Sequence, residues 1–333
     1  MIELAFTLDY EIYGNGTGSL NELVYEPTKQ LSSVFKEWKS TFVVFAEAAE
    51  LERIEEHGTD RAIGDVRTQL RRLHDEGFEI ALHLHPQWYN GRHQNGRWFL
   101  DSSEYNLCTL AAERIEEIVG RSIEYLRDVI GAPGFVPLSF RAGNWLMQPT
   151  KTLAQVLFKH GVRIDSSVFK GGRQRNHGLD YRPSLKNGYY WSFADDANRP
   201  DPSGLLLEIP IYTEMRPFWN MLSAKRFRLQ KRNIATGNGG GRLNRLLDFA
   251  RFSYPCKLDY CRMNYEDLRS VMDRIIREDA RAPNSYKPVA AIGHSKDLVD
   301  FDTIRLFLSY LERNRIPVSN YRTVFQRLRP QHG

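Results

Sequence analysis

Ionisable side chains stand at the ends of two apolar runs that are typical of buried strands. The run IELAFTLD ends at Asp9, with Glu11 two positions later, and the run EIALHLHP carries His83 and His85. Side chains two positions apart on a strand point to the same face, so each pair faces one side. Two imidazoles with one or two carboxylates suit zinc or another divalent cation. The spacing therefore predicts a metal site formed by Asp9, Glu11, His83 and His85.

Three further apolar runs also end in polar side chains. LSFRAGNW carries Arg141, Asn144 and Trp145, VRIDSSVF carries Asp165, and VAAIGHS carries His294. Each residue alone has a structural interpretation, as an ion-pair partner, a helix cap or a buried core histidine. In parallel α/β folds, however, the carboxyl ends of the strands form the functional site. Ionisable groups at five strand ends therefore predict one active site that also contains Arg141, Asp165 and His294.

Aromatic side chains cluster in the loops after the third and fourth runs, where Trp88 and Trp145 lie with Tyr89, Trp98 and Phe99. Aromatic faces stack on sugar rings, so these side chains are candidates for a glycan-binding cleft. The alternative is that they pack the mouth of the fold. The sequence leaves both interpretations open.

The elements that must position these residues alternate between strand and helix patterns. Apolar runs at 2–9, 41–48, 79–86, 138–145, 162–169, 205–212 and 289–295 predict strands, and amphipathic segments at 26–39, 65–77, 109–130, 149–160, 302–314 and 321–328 predict helices. Strands joined by helical crossovers form a parallel sheet. About eight such runs favour a (β/α) barrel with irregular closure over an open doubly wound sheet, which would usually carry a glycine-rich phosphate loop after its first strand.

The composition narrows the function classes. The chain has 333 residues, 41% of them hydrophobic and 26% charged, so it is neither disordered nor a membrane bundle. Three cysteines exclude a disulfide-dense scaffold. The first residues lack the pattern of a signal peptide, which predicts a cytoplasmic location. The sequence gives no indication of an oligomeric state.

The charge is unevenly distributed. The net charge of +5 mildly favours anionic partners. The sequence contains no recognised nucleic-acid-binding module, which argues against a nucleic acid as the partner. Within 215–251 there are nine basic residues and one acidic residue. We interpret this segment as a basic insertion in a single domain that spans 1–333. It would attract a nucleotide-linked or lipid-linked sugar or an anionic membrane surface, or else form a solvated basic face.

Taken together, the motifs FTLDYE, GFEIALHLHP, FRAGNW, GVRIDSSV and IGHS resemble those of the NodB-type polysaccharide deacetylases, carbohydrate esterase family 4. The resemblance covers about residues 2–320, and the segment 215–251 matches poorly. The chain is most similar to an intracellular branch found in O-antigen and capsule biosynthesis. The resemblance implies a distorted (β/α) barrel with seven or eight parallel strands and one divalent metal ion, usually zinc. It also implies hydrolysis of an N-acetyl or O-acetyl group on a sugar.

The resemblance also implies roles for the acidic opening and the histidine pair. Asp9 matches the general base, but Tyr10 stands where the family has a metal-binding aspartate. Glu11 then supplies the missing ligand, or Asp9 binds the metal and Glu11 acts as the base. His83 matches the first metal-binding histidine. Gln87 occupies the place of the second, for which His85 is the replacement.

The remaining roles come from the later motifs. Arg141 matches the arginine that orients the base, and Asn144 lies where a backbone N–H polarises the carbonyl. His294 matches the general acid, and Asp165 is the candidate to orient it. We expect the ionic surroundings to lower the pKa of the catalytic carboxylate and to keep His294 protonated near neutral pH.

These observations predict a metal-dependent deacetylase that acts on an N-acetylated sugar or glycan precursor in surface polysaccharide biosynthesis. Two alternatives from other classes remain. One is a C–N hydrolase that acts on a non-sugar amide with the same site. The other is a catalytically degenerate barrel that binds a glycan or an anionic lipid.

Overall fold

The protein, described by a computed structural model over residues 1–217 and 253–328, alternates strands and helices along its length. Its strands are β1 (Ile2–Tyr10), β2 (Val43–Glu47), β3 (Glu79–Leu84), β4 (Arg92–Gln94), β5 (Arg97–Phe99), β6 (Ser139–Ala142), β7 (Ile164–Asp165), β8 (Arg173–Gln174), β9 (Leu179–Asp180), β10 (Trp191–Phe193), β11 (Leu206–Glu208), β12 (Thr213–Arg216), β13 (Tyr254–Lys257) and β14 (Lys287–His294). The α-helices in the described ranges are α1 (Glu26–Glu37), α2 (Ala48–His57), α3 (Ile63–Asp75), α4 (Ala112–Ile130), α5 (Lys151–Lys159), α6 (Tyr265–Arg281), α7 (Phe301–Arg313) and α8 (Tyr321–Leu328).

Eight of these strands form one sheet in the order β10-β11-β7-β6-β3-β2-β1-β14. Neighbouring strands run parallel except β10 and β11, which pair antiparallel. Beyond β11, Ile211 bridges to Phe169 and to Ala290 of β14, so the two ends of the sheet approach each other. The sheet is therefore curled into a distorted (β/α) barrel, and the predicted fold class is confirmed.

Strand β1 lies between β2 and β14 in the wall of the barrel, and all nine of its residues are buried. A parallel strand is covered on both faces, which explains its almost continuous apolar sequence. Phe6 on β1 makes edge-to-face contacts with Phe35 of α1, with Tyr260 and with Phe307 of α7, at ring-centroid distances of 5.0, 5.2 and 5.7 Å. This aromatic packing fixes the strand that carries Asp9.

The observed elements differ from the predicted ones at their ends. Strand β2 gives way to α2 without a loop, so the predicted strand at 41–48 ends at Glu47, and α2 itself was missed. The helix α6 was also missed. Strands β6 and β7 are shorter than the predicted runs 138–145 and 162–169. In β6 the reason is a 3₁₀ turn that begins at Gly143.

Most of the predicted basic insertion at 215–251 lies outside the described residues, so a single domain with a basic insertion stays a prediction. The described strands on either side of it, β12 and β13, pair antiparallel. Among the helices that are described, none has both the length and the apolar character needed to cross a membrane.

Candidate metal centre and active site

A cleft of about 280 Å³ opens where the strands of the sheet end, and it is lined in part by Asp9, Glu11, His83, His85, Arg262 and His294. Strand register brings these residues together. The pairing of β1 with β14 aligns Asp9 with His294, and the pairing of β2 with β3 aligns Glu47 with His83. The sheet therefore brings together residues that are far apart in the sequence, as the strand-end pattern predicted.

The two histidines converge on one carboxylate oxygen. The Nε2 atoms of His83 and His85 lie 3.4 and 3.2 Å from Oε2 of Glu11. Nδ1 of His83 is 2.8 Å from the carbonyl oxygen of Arg141, which can only accept a hydrogen bond. Nδ1 must therefore carry the hydrogen, which leaves Nε2 directed at Glu11 with either a lone pair or a second proton. A backbone carbonyl that fixes the tautomer in this way is the usual environment of a metal-binding histidine.

A fourth candidate ligand, Glu47, was missed by the sequence analysis. Its Oε2 lies 4.0 Å from Nε2 of His83, and the side chain is fully buried. Neither of its carboxylate oxygens has a hydrogen-bond partner within residues 1–217 and 253–328. A buried carboxylate without a partner is costly unless a proton or a cation neutralises it. Burial accordingly raises the pKa of Glu47, against the opposing effect of His85 and His83.

These four groups fit a divalent cation. One possible donor atom from each of Glu11, Glu47, His83 and His85 lies within 4.8 Å of the others. Two imidazole nitrogens and two carboxylate oxygens are a donor set that zinc accepts. A second group, Asp9, Glu11 and His294, meets the same distance criterion. It offers one fewer donor, and Asp9 is already bound to an arginine, so we regard the first group as the better site.

Amide groups and a glycine hold His85 in place. Its Nδ1 lies 3.3 Å from Nδ2 of Asn144 and 3.5 Å from Nε2 of Gln87. Oε1 of Gln87 is buried and has no hydrogen-bond partner in the described chain. If the Gln87 amide group were turned over, Oε1 would replace Nε2 beside Nδ1 of His85 and could accept a hydrogen bond from it. A Cβ at Gly143 would lie 2.8 Å from the His85 ring and 2.5 Å from the carbonyl oxygen of Leu84. Only glycine allows this close approach.

Glu11 is held ionised by its neighbours. Lys296 donates a hydrogen bond of 2.8 Å to Oε1, on the side away from the histidines. Burial alone would raise the pKa of Glu11, but Lys296 and the hydrogen bonds from His83 and His85 lower it well below the ordinary value. Burial also lowers the pKa of His83, but Asp9 and Glu11 outweigh this and raise it to about 9. A cation must therefore compete with a proton for Nε2 of His83.

Asp9 pairs with a fully buried arginine. Arg141 donates from Nη1 to Oδ1 of Asp9, and from Nη2 to Oγ1 of Thr7 at 2.9 Å. The guanidinium group also lies 4.0 Å from the ring centroid of Phe45. Burial would raise the pKa of Asp9, but Arg141 and the two histidines His83 and His294 lower it below its usual range. The structure thus places Arg141 where it orients Asp9 and keeps it negatively charged.

His294 lies on the other side of Asp9, with Nε2 3.5 Å from Oδ2 of that carboxylate. Burial lowers its pKa, Asp9 opposes this effect, and Arg262 and Lys296 add to the lowering. The expectation that His294 stays protonated near neutral pH is therefore wrong. The cations around it, which the sequence pattern did not reveal, favour the neutral imidazole.

Asp165 does not contact His294. It accepts a hydrogen bond of 2.6 Å from Oγ of Ser167, and strand register places it beside Glu208. Nδ1 of His294 has no hydrogen-bond partner in the part of the chain that the structure describes. Burial raises the pKa of Asp165, and burial together with the Asp165 charge raises the pKa of Glu208 well above its ordinary value. Asp165 and Glu208 are therefore neighbouring buried carboxyl groups, separate from the cleft.

Of the residues predicted to contact substrate, Asn144 and Trp145 reach the cleft and Trp88 does not. Asn144 and Trp145 line it, and both have left-handed backbone conformations, with φ of 54° and 60°. Such strain in non-glycine residues is concentrated at functional sites. Trp88 is 1% exposed and packs against Trp98 at 5.1 Å between ring centroids, so it belongs to the packing of the loop. Tyr10 points away from the cleft and donates a hydrogen bond of 2.7 Å to Oε1 of Gln69.

Several residues near the site were not predicted. Glu47 could have been found by applying the strand-end rule to β2, where it is the last residue. Glu50 lies one helical turn later and accepts a hydrogen bond of 2.8 Å from the Ile12 N–H. Lys257 and Arg262 follow the segment 218–252 in the sequence, and no motif connects them with the site.

Comparison with solved structures identifies the fold. A “putative polysaccharide deacetylase” from Mycobacterium smegmatis matches with a TM-score of 0.54 and 14% identity, over 99% of this chain and 92% of that chain. A probable polysaccharide deacetylase from Pseudomonas aeruginosa PAO1 matches with a TM-score of 0.52 and 14% identity, over 99% and 92%. The chain has the polysaccharide deacetylase fold.

The deacetylase fold is shared with a further enzyme. The Puue allantoinase matches with a TM-score of 0.52 and 14% identity, over 99% of this chain and 91% of that chain. No protein-family model matches the sequence, and no curated protein matches it. At these identities the comparisons establish the fold alone, so the function has to be argued from the cleft.

Proposed function

We propose that the protein is a metal-dependent hydrolase that removes an acetyl group from an acetylated carbohydrate. The observation that carries this proposal is the convergence of His83 and His85 on Oε2 of Glu11, at 3.4 and 3.2 Å, beside the Asp9–Arg141 pair. These residues lie in one cleft of a deacetylase fold. The donor atoms favour zinc among the divalent cations.

Glu11, Glu47, His83 and His85 would hold the cation, which when bound polarises the acetyl carbonyl group and acidifies water. Lys296 keeps Glu11 ionised and correctly placed for this role. The carbonyl oxygen of Arg141 fixes the ring of His83. These contacts prepare the ligands before a cation arrives, which reduces the reorganisation that binding requires.

The other side of the cleft handles protons. Asp9, anionic and held by Arg141, accepts a hydrogen bond from the attacking water and orients it toward the carbonyl carbon. A neutral His294, with Nε2 3.5 Å from Asp9, takes up a proton and returns it to the leaving amine. The amine leaves poorly without that proton. Asn144 lies beside the cleft, where its backbone N–H is a candidate donor to the developing oxyanion.

The substrate is proposed more narrowly from the resemblance of the motifs. It is an N-acetylated sugar, or less often an O-acetylated one, in a nucleotide-linked or lipid-linked precursor of O-antigen or capsule. The reaction would take place in the cytoplasm. The face of Trp145 in the cleft supports a sugar ring as the bound group, because aromatic rings stack on the apolar faces of sugars.

The experiment is acetate release from a panel of acetylated sugars by protein stripped of metal and then loaded with zinc. Zinc-loaded protein should release acetate and stripped protein should not. His83→Ala should lose the activity, whereas His160→Ala should retain it. His160 is the matched control because it also faces a carboxylate, with Nε2 2.7 Å from Oε1 of Glu116. Equal activity with and without a divalent ion would refute the proposal.

A second candidate function is hydrolysis of a non-sugar amide, and the fold shared with the Puue allantoinase favours it. The same cleft would serve. Allantoin and formamides in the same panel separate the two candidates, because only one class of substrate should be turned over. Zinc binding without any turnover would indicate a catalytically inactive barrel that binds its ligand.

A further inference from the structure

A lysine ammonium group lies beside the cleft and contacts aromatic rings instead of an acid. Lys257 is the last residue of β13, and its Nζ is 3.2 Å from the ring centroid of Trp145 and 4.4 Å from that of Phe169. Trp145 lines the cleft, with its ring centroid 6.4 Å from that of His294. Lys257 is half-buried. The Trp145 ring therefore contacts this cation and also lines the cleft that contains the proposed catalytic groups.

The other cations around the cleft are already neutralised. Each contacts a carboxylate group: Arg141 contacts Asp9, Lys296 contacts Glu11, and Arg262 contacts Asp297. Within residues 1–217 and 253–328, Lys257 has no carboxylate oxygen within 4.0 Å of its Nζ. It differs from the other three in this respect, and its charge is available to a ligand.

The surroundings of Lys257 disfavour an isolated positive charge. Burial and the nearby charge of Arg262 lower its pKa to about 7, against the opposing effect of Asp259 and Asp9. Aromatic faces attract a cation, but they do not replace a counter-ion. An anion at this position would be stabilised by Lys257 and would also face Arg262, which lines the cleft.

The tryptophan beneath the ammonium group is held rigidly. The left-handed turn at Asn144 and Trp145 is held by two hydrogen bonds to its carbonyl oxygens. Nε2 of Gln174 donates to Asn144 at 2.9 Å, and the hydroxyl of Tyr181 donates to Trp145 at 2.7 Å. A strained turn persists only when its surroundings fix it. The backbone that carries the Trp145 ring is therefore fixed before substrate binds.

We propose that Lys257 forms an anion subsite at the rim of the cleft, so that the substrate is an acetylated sugar carrying a carboxylate or phosphate group. This inference rests on the proposed function. The sugar ring lies on Trp145, its acetyl group faces the histidines, and its anionic group reaches the ammonium group of Lys257. Charge-assisted hydrogen bonds of this kind are the stronger ones in proteins.

The test uses zinc-loaded protein and ligands that carry no acetyl group, so that turnover does not interfere. Calorimetry compares glucosamine, glucosamine 1-phosphate and glucosaminuronic acid. The wild-type protein should bind at least one of the charged ligands about tenfold more tightly than glucosamine. The charged ligand that shows the preference identifies the group as a phosphate or a carboxylate. Raising the salt concentration should reduce the preference.

Variants of Lys257 separate charge from packing. Lys257→Met keeps an apolar stem on Trp145 and should lose about tenfold in affinity for the charged ligand, with less than a twofold change for glucosamine. Lys257→Arg should retain most of the preference. Lys170→Met is the matched control. Lys170 is also half-buried, and its Nζ lies 5.8 Å from the ring centroid of Trp191, away from the cleft. This control variant should change neither affinity.

Two results would overturn the subsite. One is a wild-type protein that binds glucosamine as tightly as the two ligands that carry an anionic group, which requires no variant and so does not depend on the folding of one. The other is an equal loss of both affinities in Lys257→Met, which would indicate a packing role only. Failure of the proposed function would look different. The binding preference would remain, but no acetylated sugar, charged or neutral, would release acetate.

Discussion

Replacing Glu47 by glutamine should change metal affinity and metal-free stability in opposite directions. Glu47 is fully buried at the end of β2, with Oε2 4.0 Å from Nε2 of His83. Glutamine keeps the size of the side chain and removes its charge. When a cation is bound, the Glu47 carboxylate is a favourable ligand. When the cation is absent, the same carboxylate is a buried charge that no cation neutralises.

The two magnitudes follow from this environment. Changes to groups that only support a ligand typically cost about 10–100-fold in metal affinity, so losing a charged ligand should cost at least about 100-fold. Without metal, Glu47→Gln should stabilise the protein by about 1–3 kcal/mol at pH 8, because the amide keeps buried polar atoms at this position but removes the buried charge. Because the folded-state pKa of Glu47 is raised, the wild-type protein loses stability as the pH rises through that pKa. The advantage of the variant should therefore disappear below the ordinary glutamate pKa of about 4.3.

The assays are zinc titration against a competing chelator and urea unfolding of the stripped protein at high and low pH. Glu79→Gln is the control. Glu79 is also buried with a raised pKa, but it lies at the opposite end of β3 and accepts hydrogen bonds from Ser139 and the Arg322 N–H. It should leave zinc affinity unchanged, because it lies far from the histidines. Equal zinc affinity in Glu47→Gln and the wild-type protein would refute the reasoning.

Two further predictions concern the framework of the site. Burial and the charge of Asp165 raise the pKa of Glu208, so the wild-type protein should lose stability as the pH rises above about 4.3, whereas Glu208→Gln should lose less. Urea unfolding of both proteins across a range of pH tests this. Parallel stability profiles of the two proteins would contradict it. Gly143→Ala would place a Cβ 2.5 Å from the carbonyl oxygen of Leu84 and 2.8 Å from the His85 ring. The Gly143→Ala variant should lose about 1–3 kcal/mol of stability and bind zinc about tenfold or more weakly. A variant with the melting temperature and zinc affinity of the wild-type protein would show that Gly143 does not confine the His85 ring.

The sequence predicts the barrel because strand and helix patterns alternate along it, and it predicts much of the cleft because parallel strands end together. That rule gives Asp9, Glu11, His83 and His294 without knowledge of any contact. It does not give the pairing of side chains. Asp165 stands at a strand end but pairs across the sheet with Glu208, because the register of β7 and β11 decides its neighbour.

Protonation and burial were also hard to predict, because they depend on residues distant in the sequence. Burial lowers the pKa of His294, and the nearby charge of Arg262 lowers it further. Arg262 belongs to none of the sequence motifs, so its position beside His294 was not predicted. Trp88 and Trp145 look equivalent in the sequence. One packs inside a loop, and the other is turned into the cleft by a left-handed backbone conformation that no residue pattern revealed.

The central claim is that the two histidines and the early glutamate hold a divalent cation in the cleft. X-ray diffraction from zinc-loaded crystals at the zinc absorption edge tests it directly. We expect one anomalous peak within about 2.0–2.3 Å of Nε2 of His83, Nε2 of His85 and a carboxylate oxygen of Glu11. A fully zinc-loaded protein with no peak at these atoms, or with its zinc bound outside the cleft, would contradict it.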